Sequence, residues 1–114
     1  MDFDFKDEQT QLREACQRWV DKAYTFERRR GIVAKGGFSQ QAYQELAELG
    51  LTALALPTEH GGFDGGALDL VATMETIGQS LMLEPFVSTV GLGARLIARC
   101  GSAAQRQEIG RAHV

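Results

Sequence analysis

The sequence predicts an all-α fold: a bundle of four helices with a fifth begun near the C-terminal end. Three observations carry this. Apolar residues recur at three- and four-residue steps in four separate stretches. Glycines follow these stretches, and serine or proline opens several of them, as helix boundaries require. Only one short apolar run, 51–57, has strand length, and a lone strand has no partner for its backbone groups, so an irregular segment is expected there.

The first helix is expected over 7–29. Leu12, Cys16, Trp19, Val20, Ala23 and Phe26 mark one apolar face, Asp7 and Glu8 sit in the first turn, and Arg28, Arg29 and Arg30 in the last, so both ends complement the helix dipole. Gly31, Gly36 and Gly37 then read as a loop. The second helix, about 39–49, has Ser39 as its cap, Tyr43, Leu46, Ala47 and Leu49 on its apolar side, and Gly50 at the position just past its end. Residues 58–66 form a loop with four glycines. The third helix, 67–81, buries Leu68, Val71, Met74, Ile77, Gly78 and Leu81. Pro85 opens the fourth, 85–100, along which Phe86, Val90, Ala94, Leu96 and Ile97 lie. Ser102 and Gln105 form a capping box for a fifth helix from 103.

Composition permits a folded domain and narrows its partners. The 114 residues are 44% hydrophobic and 24% charged, so a core can form without metal or disulfide support. Twelve basic against fifteen acidic residues give a net charge of −3, which argues against a polyanion-binding role. The acidic N-terminus lacks the apolar core of a signal peptide, and no apolar run approaches membrane-span length; a cytoplasmic protein is expected. Cys16 and Cys100 show no metal or redox spacing and are expected to be buried free thiols.

Most catalytic constellations are missing. Gly61, Gly62, Gly65 and Gly66 are not a dinucleotide fingerprint, because Phe63 takes the second-glycine position, nor a phosphate loop, because Ala67 stands where lysine is needed. A tight loop requiring positive φ explains them. No second histidine stands at helical spacing from His60, so no metal site is expected. Glu59 and His60 beside the glycines could act as a base pair, but a solvated loop is the plainer reading. The same holds for Arg28 to Arg30 as a solvated helix end and for Glu84 before Pro85 as a helix cap.

The order of segments resembles the N-terminal α-helical domain of acyl-CoA dehydrogenases over residues 1–107. The likeness rests on Phe5-Lys6-Asp7-Glu8-Gln9 with Leu12-Arg13-Glu14, on Ala47-Glu48-Leu49-Gly50-Leu51, and on Leu56-Pro57-Thr58-Glu59-His60-Gly61-Gly62. Met74-Glu75-Thr76-Ile77-Gly78 and Gly101-Ser102-Ala103-Ala104-Gln105-Arg106 complete it. Lys6 replaces the family's capping serine or threonine, so a weaker first cap is expected. Tyr24-Thr25-Phe26-Glu27-Arg28-Arg29, Gly61-Gly62-Phe63-Asp64-Gly65-Gly66 and Leu83-Glu84-Pro85-Phe86 look like the small-subunit type of pimeloyl-CoA dehydrogenase. The resemblance implies an FAD-dependent oxidoreductase that converts an acyl-CoA thioester to 2,3-enoyl-CoA. It also implies that the flavin contacts and the catalytic carboxylate belong to middle and C-terminal domains outside this chain. The chain itself is then an inactive, flavin-free fragment, and the enzyme a homo- or hetero-oligomer. By the same resemblance, Leu83, Glu84, Phe86, Val87 and Val90 face the acyl tail as one wall of its pocket.

Residues 108–114 depart from the family pattern. Gly110 early in a freshly capped helix costs about 1 kcal/mol against alanine. The codons GAG-ATC-GGA-AGA-GCA-CAC-GTC, which encode these seven residues, match a common sequencing adapter, so a non-native tail is expected. A stand-alone helical interaction module, or a non-catalytic subunit domain, is the competing reading of the chain. The fourth helix argues for partners in either case: its apolar residues cover more than one face, and a helix apolar nearly all round expects burial on several sides.

Overall fold

The computed structural model describes residues 4–112, and among them the secondary structure is helical throughout, with no strand. His113 and Val114 of the expected tail lie outside the described residues. The chain divides into two compact units, one comprising residues 4–39 and 67–84, the other 40–66 and 85–112.

The first unit is built on α1 (Asp7–Ala23), α2 (Phe26–Ala34) and α4 (Ala67–Gln79). The single helix expected over 7–29 is in fact two. Tyr24 leaves helical geometry with ψ at 61°, and Thr25 takes extended angles and accepts a hydrogen bond from the Arg28 N–H at 3.2 Å, capping α2. Arg28 to Arg30 therefore sit in the early turns of α2 rather than in the last turn of α1. Arg28 still serves α1, since its Nη1 donates to the Ala23 carbonyl at 2.9 Å. At the start of α1 only half of a capping box forms. The Gln9 side chain accepts from the Lys6 N–H at 2.9 Å, but the Lys6 ammonium has no acceptor to return the bond.

Helices α1 and α4 pack together, and the face α4 buries differs from the expected one. Leu70, Ala72, Thr73, Thr76 and Ile77 are buried, whereas Leu68, Val71 and Leu81 are exposed. Thr73 tolerates burial because its hydroxyl donates to the Leu70 carbonyl at 2.9 Å.

The second unit contains α3 (Gln40–Glu48), two 3₁₀ turns (Leu51–Ala53 and Thr58–His60), a π helix (Val87–Ala94) running directly into α5 (Arg95–Cys100), and α6 (Ala103–Ala112). Its core gathers Ala53, Leu56 and Ala94, with Ala98 and Ile109 packed against them. The irregular segment after α3 is as expected: Leu51, Thr52, Ala53, Leu54 and Leu56 are buried without forming a strand. Gly50 ends α3 at φ 81°, and the Phe63 ring fills the space where its Cβ would stand. The capping box at α6 forms in full, with Ser102 N–H donating to Gln105 at 2.9 Å and Gln105 N–H to Ser102 Oγ at 3.2 Å.

Gly110 is buried within α6, where a Cβ would meet the His60 carbonyl oxygen at 2.5 Å. The local cost of glycine is thus matched by a tertiary requirement for it. Cys16 is buried as expected. Cys100 is exposed, because the outer side of α5 is uncovered; both thiols are free.

Candidate functional site

The residues expected to face an acyl chain fall at the end of the first unit and the start of the second. In the first, α4 closes with Leu81 at φ 53°, a conformation that disfavours any residue with a Cβ. The Leu81 N–H donates to the Gly78 carbonyl at 3.1 Å, and the Leu81 carbonyl accepts from Arg29 Nε at 2.7 Å. The chain then brings Glu84 into the interior, where it is 4% exposed. Its carboxylate takes the Tyr24 hydroxyl at 2.6 Å and the Ser39 N–H at 3.2 Å, and the Tyr24 oxygen in turn accepts from the Leu83 N–H at 3.1 Å. Burial, reinforced by the bond to Glu84, pushes the Tyr24 hydroxyl up to about 12. The Glu84 side chain is thus engaged with the body of its own unit. Leu83 is half-buried.

In the second unit the helix begins at Phe86. The Thr89 N–H donates to the Pro85 carbonyl at 3.3 Å, and Val87–Ala94 then follows π geometry. Phe86, Val90 and Ala94 are buried at intervals of four residues, while Val87 and Leu92 are 54% and 67% exposed. π turns are rare and occur often at functional sites. Gly91 and Gly93, which weaken an α-helix, lie inside this segment, where a regular helix over 85–100 was expected. Of the five expected residues, Phe86 and Val90 share one buried side and Val87 stands exposed between them. Tyr24, which fixes Glu84, carries no sequence signal of that role, being sixty positions away.

The glycine loop is explained by close backbone approach more than by positive φ. Among its glycines only Gly61 has positive φ, at 82°; the other left-handed residue is Asp64, at 52°. A Cβ at Gly62 would overlap the Leu56 carbonyl, and one at Gly65 would stand 2.5 Å from the Leu54 oxygen. The loop N–H groups point inward: Gly62 donates to Pro57, Asp64 to Leu56 and Gly65 to Leu54, at 3.0, 2.9 and 2.7 Å. His60 Nε2 lies 3.7 Å from Glu59 Oε1, which is largely exposed, while His60 is mostly covered. No three His, Cys, Asp or Glu side chains converge as metal ligands among the described residues. No helix among them is long and apolar enough to cross a membrane.

The family model for the acyl-CoA dehydrogenase N-terminal domain matches residues 6–112. The chain is 26% identical over 109 residues to "Probable acyl-CoA dehydrogenase YngJ" of Bacillus subtilis (strain 168), covering 94% of this chain and 28% of that protein. It is 32% identical over 65 residues to the acyl-CoA dehydrogenase FadE27 of Mycobacterium tuberculosis, covering 57% and 17%. It is 30% identical over 71 residues to the acryloyl-CoA reductase (NADH) of Anaerotignum propionicum, covering 61% and 18%. The chain thus spans less than a third of the length of each of these relatives. No solved structure matches it.

Proposed function

This chain belongs to the acyl-CoA dehydrogenase family, as its N-terminal domain, and we propose that it works as part of an FAD-dependent enzyme oxidising an acyl-CoA thioester to the 2,3-enoyl-CoA. Within that enzyme it contributes one wall of the acyl pocket through Phe86, Val87 and Val90, with Leu83 and Glu84 immediately before them in sequence. The observation that supports the wall is the exposed Val87 between buried Phe86 and Val90, on a π helix whose backbone departs from α geometry. An apolar side chain held by buried neighbours is preorganised to meet an alkyl chain without further ordering cost. Glu84, held by Tyr24 and Ser39, serves as a positioning residue for the end of its own unit.

The glycine loop does not fit the phosphates of a flavin dinucleotide. The N–H groups of Gly61, Gly62, Asp64 and Gly65 are spent on the carbonyls of residues 58, 57, 56 and 54 rather than turned toward a phosphate. The cofactor, and the base that removes the α-proton, are therefore assigned to parts of the enzyme outside these residues. By sequence likeness the dicarboxylyl-CoA type, with paired large and small subunits, is the subgroup we favour.

The reading is tested with the complete enzyme that carries this domain, by acyl-CoA-dependent reduction of a dye. Val87→Trp is expected to shift activity toward shorter acyl chains, mainly through KM. Absence of acyl-CoA oxidation, or an unchanged chain-length profile in the variant, would refute it.

A further inference from the structure

Arg28, Arg29 and Arg30 stand together near the start of α2, and the first two hold carbonyls at the ends of other helices. Arg28 Nη1 serves α1 through the Ala23 carbonyl, at 2.9 Å. Arg29 Nε donates to the Leu81 carbonyl, just past the end of α4, at 2.7 Å. A cation in the first turn of a helix opposes the helix dipole, so α2 itself gives no reason for arginine at position 29. The tertiary bond does: it is short and charge-assisted.

The chain at Leu81 needs holding. Helix α4 ends in a Schellman turn, with the Leu81 N–H on the Gly78 carbonyl at 3.1 Å and the Met82 N–H on the Ile77 carbonyl at 3.4 Å. Glycine is the usual residue at the left-handed position of that turn; here leucine takes it, at φ 53°. A strained residue persists where its surroundings over-determine it, and such residues cluster at functional sites. The surroundings fasten this stretch at Leu81, Leu83 and Glu84. Arg29 holds the Leu81 carbonyl, and the Tyr24 oxygen takes the Leu83 N–H at 3.1 Å. The Glu84 carboxylate takes the Tyr24 hydroxyl at 2.6 Å and the Ser39 N–H at 3.2 Å. All of these residues belong to the first unit.

We infer that Arg29 is a positioning residue for acyl-chain selection: by holding the Leu81 carbonyl, with Tyr24 on the Leu83 N–H, it keeps the half-buried Leu83 in place against the acyl tail and so sets the chain length the enzyme prefers. The inference rests on the proposed acyl-pocket role of Leu83. A methylene more or less in an apolar pocket is discriminated only as far as the wall keeps its place. Arg29 supplies that fixity from outside the pocket, through backbone, without touching substrate.

The test measures kcat and KM of the complete enzyme over a series of straight-chain acyl-CoA thioesters. Arg29→Met sets a methyl group where Nε stands. It is expected to cut the kcat/KM ratio between the preferred thioester and the next longer one roughly two- to tenfold, through KM, with kcat little changed. Arg29→Gln keeps an N–H donor at that same atom and should restore most of the discrimination. Arg29→Lys keeps the charge but has a methylene there; it should behave as Arg29→Met, and it decides the matter if Arg29→Met does not fold. Arg30→Met is the control and should change nothing. Leu83→Ala should alter the profile by itself, and adding Arg29→Met to it should change nothing further. Absence of acyl-CoA oxidation, or a parental profile in Leu83→Ala, would refute the acyl-pocket role of Leu83 and the inference with it. With Leu83→Ala altered, four results would overturn the inference alone: parental discrimination in Arg29→Met or Arg29→Lys, failure of Arg29→Gln to rescue, an equal loss in Arg30→Met, or an undiminished Arg29→Met effect in the Leu83→Ala enzyme. A fall in Tm without a change in discrimination counts against it in the same way.

Discussion

Replacing Tyr24 by phenylalanine isolates the buried hydrogen bonds that hold Glu84. The change keeps the ring, which stacks 5.5 Å from Trp19, and removes only the hydroxyl. Two groups then lose a partner: the Glu84 carboxylate, left with the Ser39 N–H, and the Leu83 N–H, which donated to the lost oxygen. A hydrogen bond to a charged group is worth about 1.5–3 kcal/mol. For a domain of this length that corresponds to a fall in Tm of roughly 6–12 °C. A second signature lies in alkaline solution. The folded-state value for Tyr24 is raised from 10.0 to about 12, so its contribution is whole below pH 10 and is lost as pH rises toward 12. The loss amounts to at most about 3 kcal/mol. Cys16, pushed up to about 11 by burial, loses stability over a lower range in both proteins and cancels in the difference between them. Urea denaturation followed by circular dichroism, at pH 7 and then from pH 9 to 12, gives both numbers. A Tyr24→Phe protein within about 0.5 kcal/mol of the parent at pH 7, or one with an identical alkaline profile, would refute the reasoning.

Other substitutions separate local from tertiary effects. Leu81→Gly should raise Tm, by about 1 kcal/mol of stability, because Leu81 is exposed and its φ of 53° suits glycine. Gly31→Ala and Gly78→Ala, both in helices with open space at the Cβ position, should each stabilise by up to about 1 kcal/mol. Gly62→Ala and Gly110→Ala should do the reverse, by about 1–3 kcal/mol, since each Cβ meets a backbone carbonyl; thermal melts of the four variants check the signs. A thiol reagent at pH 8 should modify one equivalent of cysteine, at Cys100, and peptide mapping should find Cys16 untouched until the chain unfolds. The coding sequence of residues 108–114 should read GAG-ATC-GGA-AGA-GCA-CAC-GTC, and other codons there would remove the case for a non-native tail.

How much could be read from the chain depended on whether the signal was local. The all-α class, the end of α3 at Gly50, the capping box at Ser102 and the non-strand character of the apolar run after α3 all follow from neighbouring residues. Their physics acts within a few positions: backbone groups at helix ends need a nearby acceptor or donor, and a left-handed residue needs glycine. The break at Tyr24 was missed because the apolar spacing continues across it; only Thr25, a good cap inside a periodic stretch, hinted at it. The buried face of α4 was misassigned for a related reason. Periodicity marks where large apolar residues lie, while the covered side of α4 also carries Ala72, Thr73 and Thr76.

Tertiary structure decided the rest. Nothing local tells that Glu84 will be clamped by a hydroxyl sixty positions away or that Gly110 must yield space to His60. These outcomes depend on which backbones approach one another, and that is set by the summed burial of many side chains rather than by any one stretch. The sequence by itself determined the helical class, the helix ends at Gly50 and Ser102, and the family likeness. The fold alone determined which side chains are covered and which stand exposed.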